Sequence, residues 1–83
     1  MVSLGFRLTK PLNSRYAPYF VNMCNDLPFV VRIVTDDKRP INSKSLLGVL
    51  SCGLREGDML ILEVQNESQA KIVEAEIAKL NIL

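Results

Sequence analysis

The sequence predicts an α+β domain in which helices cover one face of an antiparallel sheet. Three observations carry that expectation. The chain opens with strict alternation of apolar and polar residues. Two later segments space their apolar residues at helical intervals. Strand-like and helix-like segments follow one another in the order β-α-β-β-α-β-α. Eighty-three residues make one domain over 1–83, near the lower end of what a single core stabilises. A hydrophobic content of 48% is high for so small a domain, so part of the apolar surface is expected to meet a partner.

From the amino terminus, Val2, Leu4, Phe6 and Leu8 share one face of a half-buried strand. Pro11 and Asn13-Ser14 end it. From Arg15 to Asp26, Tyr16, Tyr19, Phe20, Met23 and Cys24 recur at helical spacing, and Pro18 fits the first turn, where its missing N–H has no partner to lose. Asn25-Asp26-Leu27-Pro28 closes the helix, because a residue before proline avoids helical geometry. Phe29 to Val34 is β-branched and aromatic, hence a strand. Asp36-Asp37 turns the chain into a short strand from Lys38 to Asn42, which Pro40 assigns to a sheet edge. A short helix is expected from Leu46 to Ser51, stopped by Gly53. Met59 to Val64 reads as a central, covered strand. Asn66 and Gln69 form a capping-box pattern, and the last helix runs to about Leu80, with Ala70, Val73, Ile77 and Leu80 inward.

Several function classes fall away on composition. Ten Lys and Arg against nine Asp and Glu, scattered without runs, argue against nucleic acid as a partner. No apolar run approaches the roughly 20 residues that cross a membrane. Cys24 and Cys52 are too few for a disulfide framework and read as small hydrophobes in a reducing, cytoplasmic setting. No histidine is present, two separated cysteines make no zinc site, and no glycine-rich phosphate loop exists. Neither a catalytic residue, a metal nor a cofactor is expected, and the chain does not read as an enzyme.

The segment Ile-Asn-Ser-Lys-Ser-Leu-Leu-Gly-Val-Leu-Ser-Cys-Gly-Leu-Arg-Glu-Gly-Asp, Ile41 to Asp58, resembles the central signature of the HPr family, the phosphocarriers of the bacterial sugar phosphotransferase system. The resemblance extends over the whole chain, because the element order is also the family's. It implies an HPr-like open-faced β-sandwich, a four-stranded antiparallel sheet with three helices on one side. The family carries its phosphoryl group on a histidine at the start of the first helix, within Gly-Leu-His-Ala-Arg-Pro. The matching segment here is Asn13-Ser14-Arg15-Tyr16-Ala17-Pro18, and only Pro18 agrees. Arg15 occupies the histidine position, and a guanidinium, protonated at all relevant pH, has no lone pair to accept a phosphoryl group. Arg15 is either an anion contact at a helix start or a solvated surface residue.

The family's second functional position is a serine opening the second helix, phosphorylated in some members by a dedicated kinase. Ser45 matches it. A phosphoserine there would meet the positive end of the helix, while an unmodified serine would serve equally as an N-cap. Members of the family dock partners on the exposed faces of the first two helices, which points to Tyr16, Ala17, Phe20, Leu46, Leu47 and Leu50. Independently of the resemblance, a six-residue helix cannot bury Leu46, Leu47, Val49 and Leu50 together, so one or two remain exposed. The leading expectation is a regulatory, histidine-less family member, similar in concept to its Crh branch. It would bind protein partners such as a serine kinase or a transcription regulator under control of Ser45. The alternative is a self-associating or structural module, a homodimer included, with no phosphorylation.

Overall fold

The computed structural model describes residues 1–36 and 39–83. Its elements are β1 (Val2–Arg7), α1 (Ala17–Asn25), β2 (Arg32–Val34), β3 (Ile41–Asn42), α2 (Leu46–Ser51), β4 (Met59–Val64) and α3 (Glu67–Ile77). The four strands form one antiparallel sheet in the order β1-β4-β2-β3. The fold is therefore α+β, an open-faced sandwich with its three helices on one side.

Strand β4 is the central element. It pairs with β1 along its whole length, from Val2 opposite Val64 to Arg7 opposite Met59. On its other side β2 pairs with Ile61, Leu62 and Glu63. Its alternation sends Leu60, Leu62 and Val64 into the core and leaves Met59, Ile61 and Glu63 on the helix-free face. The expectation of a covered strand thus holds for one face only, since Met59 is exposed.

Helix α1 supplies Ala17, Phe20, Val21, Met23 and Cys24 to that core, and α3 supplies Ala70, Val73 and Ile77. Asn66 caps α3 by accepting from the Gln69 N–H at 2.9 Å, and the Gln69 side chain accepts from Gln65 N at 3.0 Å. Helix α2 crosses β3 at Gly48. A Cβ at that position would lie 2.9 Å from Ile41 Cγ2, so a larger residue would force the Ile41 side chain to shift. Gly57, at φ +90°, takes the left-handed turn that delivers the chain into β4, and its N–H donates to Leu8 O at 2.8 Å.

Four boundaries differ from the sequence reading. α1 begins at Ala17 rather than Arg15, because residues 13–16 form a separate turn. β2 starts at Arg32 rather than Phe29; the preceding carbonyl, on Val31, accepts instead from Ser43 N and Oγ at 3.0 and 2.7 Å. Among described residues β3 comprises only Ile41–Asn42, with Lys38 and Asp37 lying outside them. α3 ends at Ile77, so Leu80 packs on the core from the segment beyond the helix.

Phe20 is wholly buried at the heart of this arrangement. Truncation there removes a ring with no route to solvent and leaves a cavity. Phe20→Ala is expected to lower unfolding free energy by about 3–5 kcal/mol, read by urea denaturation.

Candidate functional site

Arg15 lies in the turn that precedes α1, and Asn13 organises that turn. The Asn13 Oδ1 accepts from the N–H groups of Arg15 and Tyr16 at 3.0 and 3.2 Å. The Asn13 carbonyl accepts from Tyr16 and Ala17 at 3.2 and 2.8 Å. Pro18 has no N–H, and Tyr19 N donates to Tyr16 O at 3.2 Å. The N–H groups of Arg15, Tyr16, Ala17 and Tyr19 therefore all have partners inside the chain. An anion arriving here would find the side chain of Arg15, while the amides of Arg15, Tyr16, Ala17 and Tyr19 are already taken, which makes the helix start a poor anion cradle. The exposed guanidinium instead lies over the Tyr16 ring, 5.3 Å from its centroid. Beside it opens a hollow of about 330 Å³, lined by Arg15, Tyr16, Tyr19, Lys79, Leu80 and Ile82. The Lys79 ammonium is held by Glu76 at 2.7 Å.

The entry to α2 is built differently. Ser45 is the N-cap; its Oγ accepts from Gly48 N at 3.1 Å while the side chain stays exposed. Behind it the chain is fastened at three points. Ser43 is buried and donates to Val31 O through both its amide and its hydroxyl. The Lys44 ammonium donates to Leu27 O at 3.0 Å, and Asn25 Nδ2 donates to Lys44 O at 3.2 Å. The end of α1 and the start of α2 are thus one polar junction. Sequence reasoning missed Ser43, Lys44 and Asn25. The run Asn42-Ser43-Lys44-Ser45 signals a cap, but its alternation of inward and outward side chains is set by the tertiary contacts. Cys24 closes the junction from the core side. Burial pushes its thiol up, against the opposing pull of the Ser43 hydroxyl and the Lys44 ammonium.

The residues expected to form a docking face divide. Leu47 is 82% exposed and Leu46 41%, both on the outer side of α2, while Leu50 and Tyr16 are half-buried. Ala17 and Phe20 are corrections: both are wholly buried and present nothing to a partner. Their positions on α1 turn toward the sheet, and the large side chain this helix exposes instead is Tyr19, with the smaller Asn22 and Asn25. Among the described residues no group of three or more His, Cys, Asp or Glu side chains is placed to hold a metal ion.

The family model for the "PTS HPr component phosphorylation site" matches residues 7–81. The chain belongs to the HPr family. Solved structures agree on the fold. HPr-C-His from Thermoanaerobacter tengcongensis superposes with a TM-score of 0.79 at 20% identity, covering 96% of this chain and 91% of that one. The phosphocarrier protein HPr from Bacillus anthracis str. Ames gives 0.79 at 23% identity, covering 96% of both. No curated protein matches the chain in sequence. Within this HPr-family chain, the phosphorylation-site segment contains no histidine, because the whole sequence contains none.

Two predictions follow from these local geometries. Asn13→Ala strips the cap from the turn before α1 and is expected to cost about 1 kcal/mol of stability in urea denaturation. Cys24 sets an alkaline limit. Unfolded, its thiol ionises around its ordinary value of 9.0; folded, it keeps its proton longer. Stability is therefore unaffected below that value and falls as pH rises past it, because the unfolded state then binds fewer protons. Cys24→Ala is expected to flatten this decline in urea titrations run between pH 7 and 10.

Proposed function

We propose that this protein is a regulatory member of the HPr family that does not relay phosphate through a histidine and acts by binding other proteins, with Ser45 as its control point. The observation that carries the reading is the pairing of an arginine at the phosphoryl-accepting position with a retained α2 start, where an exposed serine hydroxyl stands next to Leu46 and Leu47. A phosphoryl acceptor must supply a nucleophilic lone pair near neutral pH. Imidazole does and guanidinium does not.

A phosphate on Ser45 would add nearly two negative charges to the first turn of α2, beside the apolar Leu46-Leu47 surface. The helix start tolerates that charge, since its N–H groups and the positive end of its dipole face it. A partner docking on leucines would lose an apolar face and gain a charged one. Ser45 thereby selects between partners, a serine kinase and a transcription regulator being the classes proposed, in the cytoplasm where the phosphotransferase system works. The exposure of Leu47 favours a second reading, in which α2 simply binds a protein surface and Ser45 remains an unmodified cap.

Intact-mass analysis separates these readings. The protein is incubated with phosphoenolpyruvate and enzyme I in one arm, and with ATP and an HPr serine kinase in the other. One added phosphate in the kinase arm alone, absent from Ser45→Ala, is the expected result. Phosphate in the enzyme I arm overturns the regulatory reading. No phosphate in either arm, with an authentic HPr control modified in both, leaves the second reading. In both readings Leu47→Lys is expected to weaken partner capture at least tenfold while leaving the thermal midpoint within a few degrees, since the side chain is already in water.

A further inference from the structure

The hollow beside Arg15 lies between two walls that are fixed separately. One is the turn before α1 together with the first helical turn, and it carries Arg15, Tyr16 and Tyr19. Tyr16 and Tyr19 stand three residues apart and so share a side. Asn13 holds this wall through its bonds to the amides of Arg15 and Tyr16. The other wall is the segment after α3, which carries Lys79, Leu80, Asn81 and Ile82. Thr9 N donates to Ile82 O at 2.8 Å and Leu80 N to Ile77 O at 3.0 Å, so this wall is pinned as well. Ile82 is buried and Leu80 half-buried, which gives the hollow an apolar lining on that side.

Most of the polar groups around the hollow are uncommitted. The Arg15 guanidinium meets the Tyr16 ring through its charge, a contact that uses none of its N–H donors. Among the described residues no carboxylate lies within ion-pair distance of it. Lys79 donates to Glu76, and its ammonium has further protons to offer. That pair is exposed and holds the lysine only weakly. Among the described residues the Tyr16 hydroxyl, the Tyr19 hydroxyl and the Asn81 side-chain amide have no partner. Tyr19 is largely in solvent, so its ring presents an open face.

We infer that this hollow binds a small molecule made of a planar ring and a phosphate monoester, with the phosphate between Arg15 and Lys79 and the ring against Tyr19 and Leu80. The site lies at α1 and the segment after α3, and it does not depend on the reading of Ser45 and α2. Two cations on facing walls match a group that carries nearly two negative charges, and a guanidinium fork takes two of its oxygens at once. The anion is held by side chains alone, since the amides of Arg15, Tyr16, Ala17 and Tyr19 are taken. The ring answers the rest of the lining, an open tyrosine face for offset stacking beside an aliphatic side chain. About 330 Å³ is the lower end of the ligand-cavity range, enough for one ring with its phosphate and too little for a peptide segment. Both walls are anchored before a ligand arrives, so binding has little chain left to order.

Phenyl phosphate is the probe, with inorganic phosphate and phenol as its two halves. Titration of the full chain, followed by amide NMR, is expected to give saturable shifts at Arg15, Tyr16, Tyr19 and Lys79 to Ile82, with a Kd of about 0.1–5 mM. Each half should bind at least about fivefold more weakly than the whole. Arg15→Gln and Lys79→Gln should each weaken phenyl phosphate by about fivefold or more. Both side chains are exposed, so these variants keep the fold, which unchanged amide shifts elsewhere will show. Tyr19→Ala should weaken phenyl phosphate and leave inorganic phosphate unchanged, whereas Leu47→Lys should alter neither. The absence of a saturable shift up to about 20 mM overturns the proposal. So does inorganic phosphate binding as well as phenyl phosphate, or an affinity untouched by Arg15→Gln and Lys79→Gln. A capped phosphotyrosine peptide is expected to bind no more tightly than phenyl phosphate. A gain of about tenfold with the peptide would assign the hollow to a protein ligand and overturn the small-molecule assignment.

Discussion

The architecture depends on β4. Leu60, Leu62 and Val64 form the one apolar row that lies under the helices with hydrogen-bonded strands on both sides. A fully buried side chain of this size contributes about 1.5–3 kcal/mol relative to exposure, so this row sets the scale of a small core. The helices take their places against it. α3 packs across β1 and β4, α1 lies beside α3, and α2 meets the sheet at β3. Each functional feature is a consequence of which helix face is left after the row has been covered.

That ordering explains why the two positions singled out by family resemblance have such different character. The turn at Arg15 is satisfied internally. Asn13 takes up the amides, Pro18 lacks one, and Ala17 is drawn into the core. The guanidinium of Arg15 rests on Tyr16. The start of α2 is anchored by residues behind it, Ser43, Lys44 and Asn25, so that Ser45, Leu46 and Leu47 are free to face outward on a firmly held frame. The first position is enclosed by its own bonds, while the second stands open to solvent.

Much of this was legible in the sequence. The alternation of β1, the capping residues of α2 and α3, the edge position signalled by Pro40 and the element order are all local patterns, and local patterns survive folding. What was not legible depended on contacts distant in the chain. Helical spacing places Tyr19 and Phe20 on the same stripe, yet the core accepts Phe20 and leaves Tyr19 in solvent. Periodicity locates a face to within a residue or two, and only packing decides its centre. The polar junction was hidden for the same reason, since Ser43 meets Val31 and Lys44 meets Leu27 across separate elements. The neighbour that Gly48 packs against, the Ile41 side chain, was likewise hidden, since it lies on a different element.

The pairing of Val2 with Val64 joins strands far apart in the sequence. Closing so long a loop costs entropy before any contact compensates for it, and topologies of this kind fold more slowly than local ones. During synthesis β1 emerges before two helices and two strands that precede β4, and it must wait for β4. Until then both edges of an apolar strand lie bare, not only the outer one. The nascent chain therefore passes through its most adhesive state before its central strand exists, and the family's economical sheet order has a period of vulnerability built into its timing.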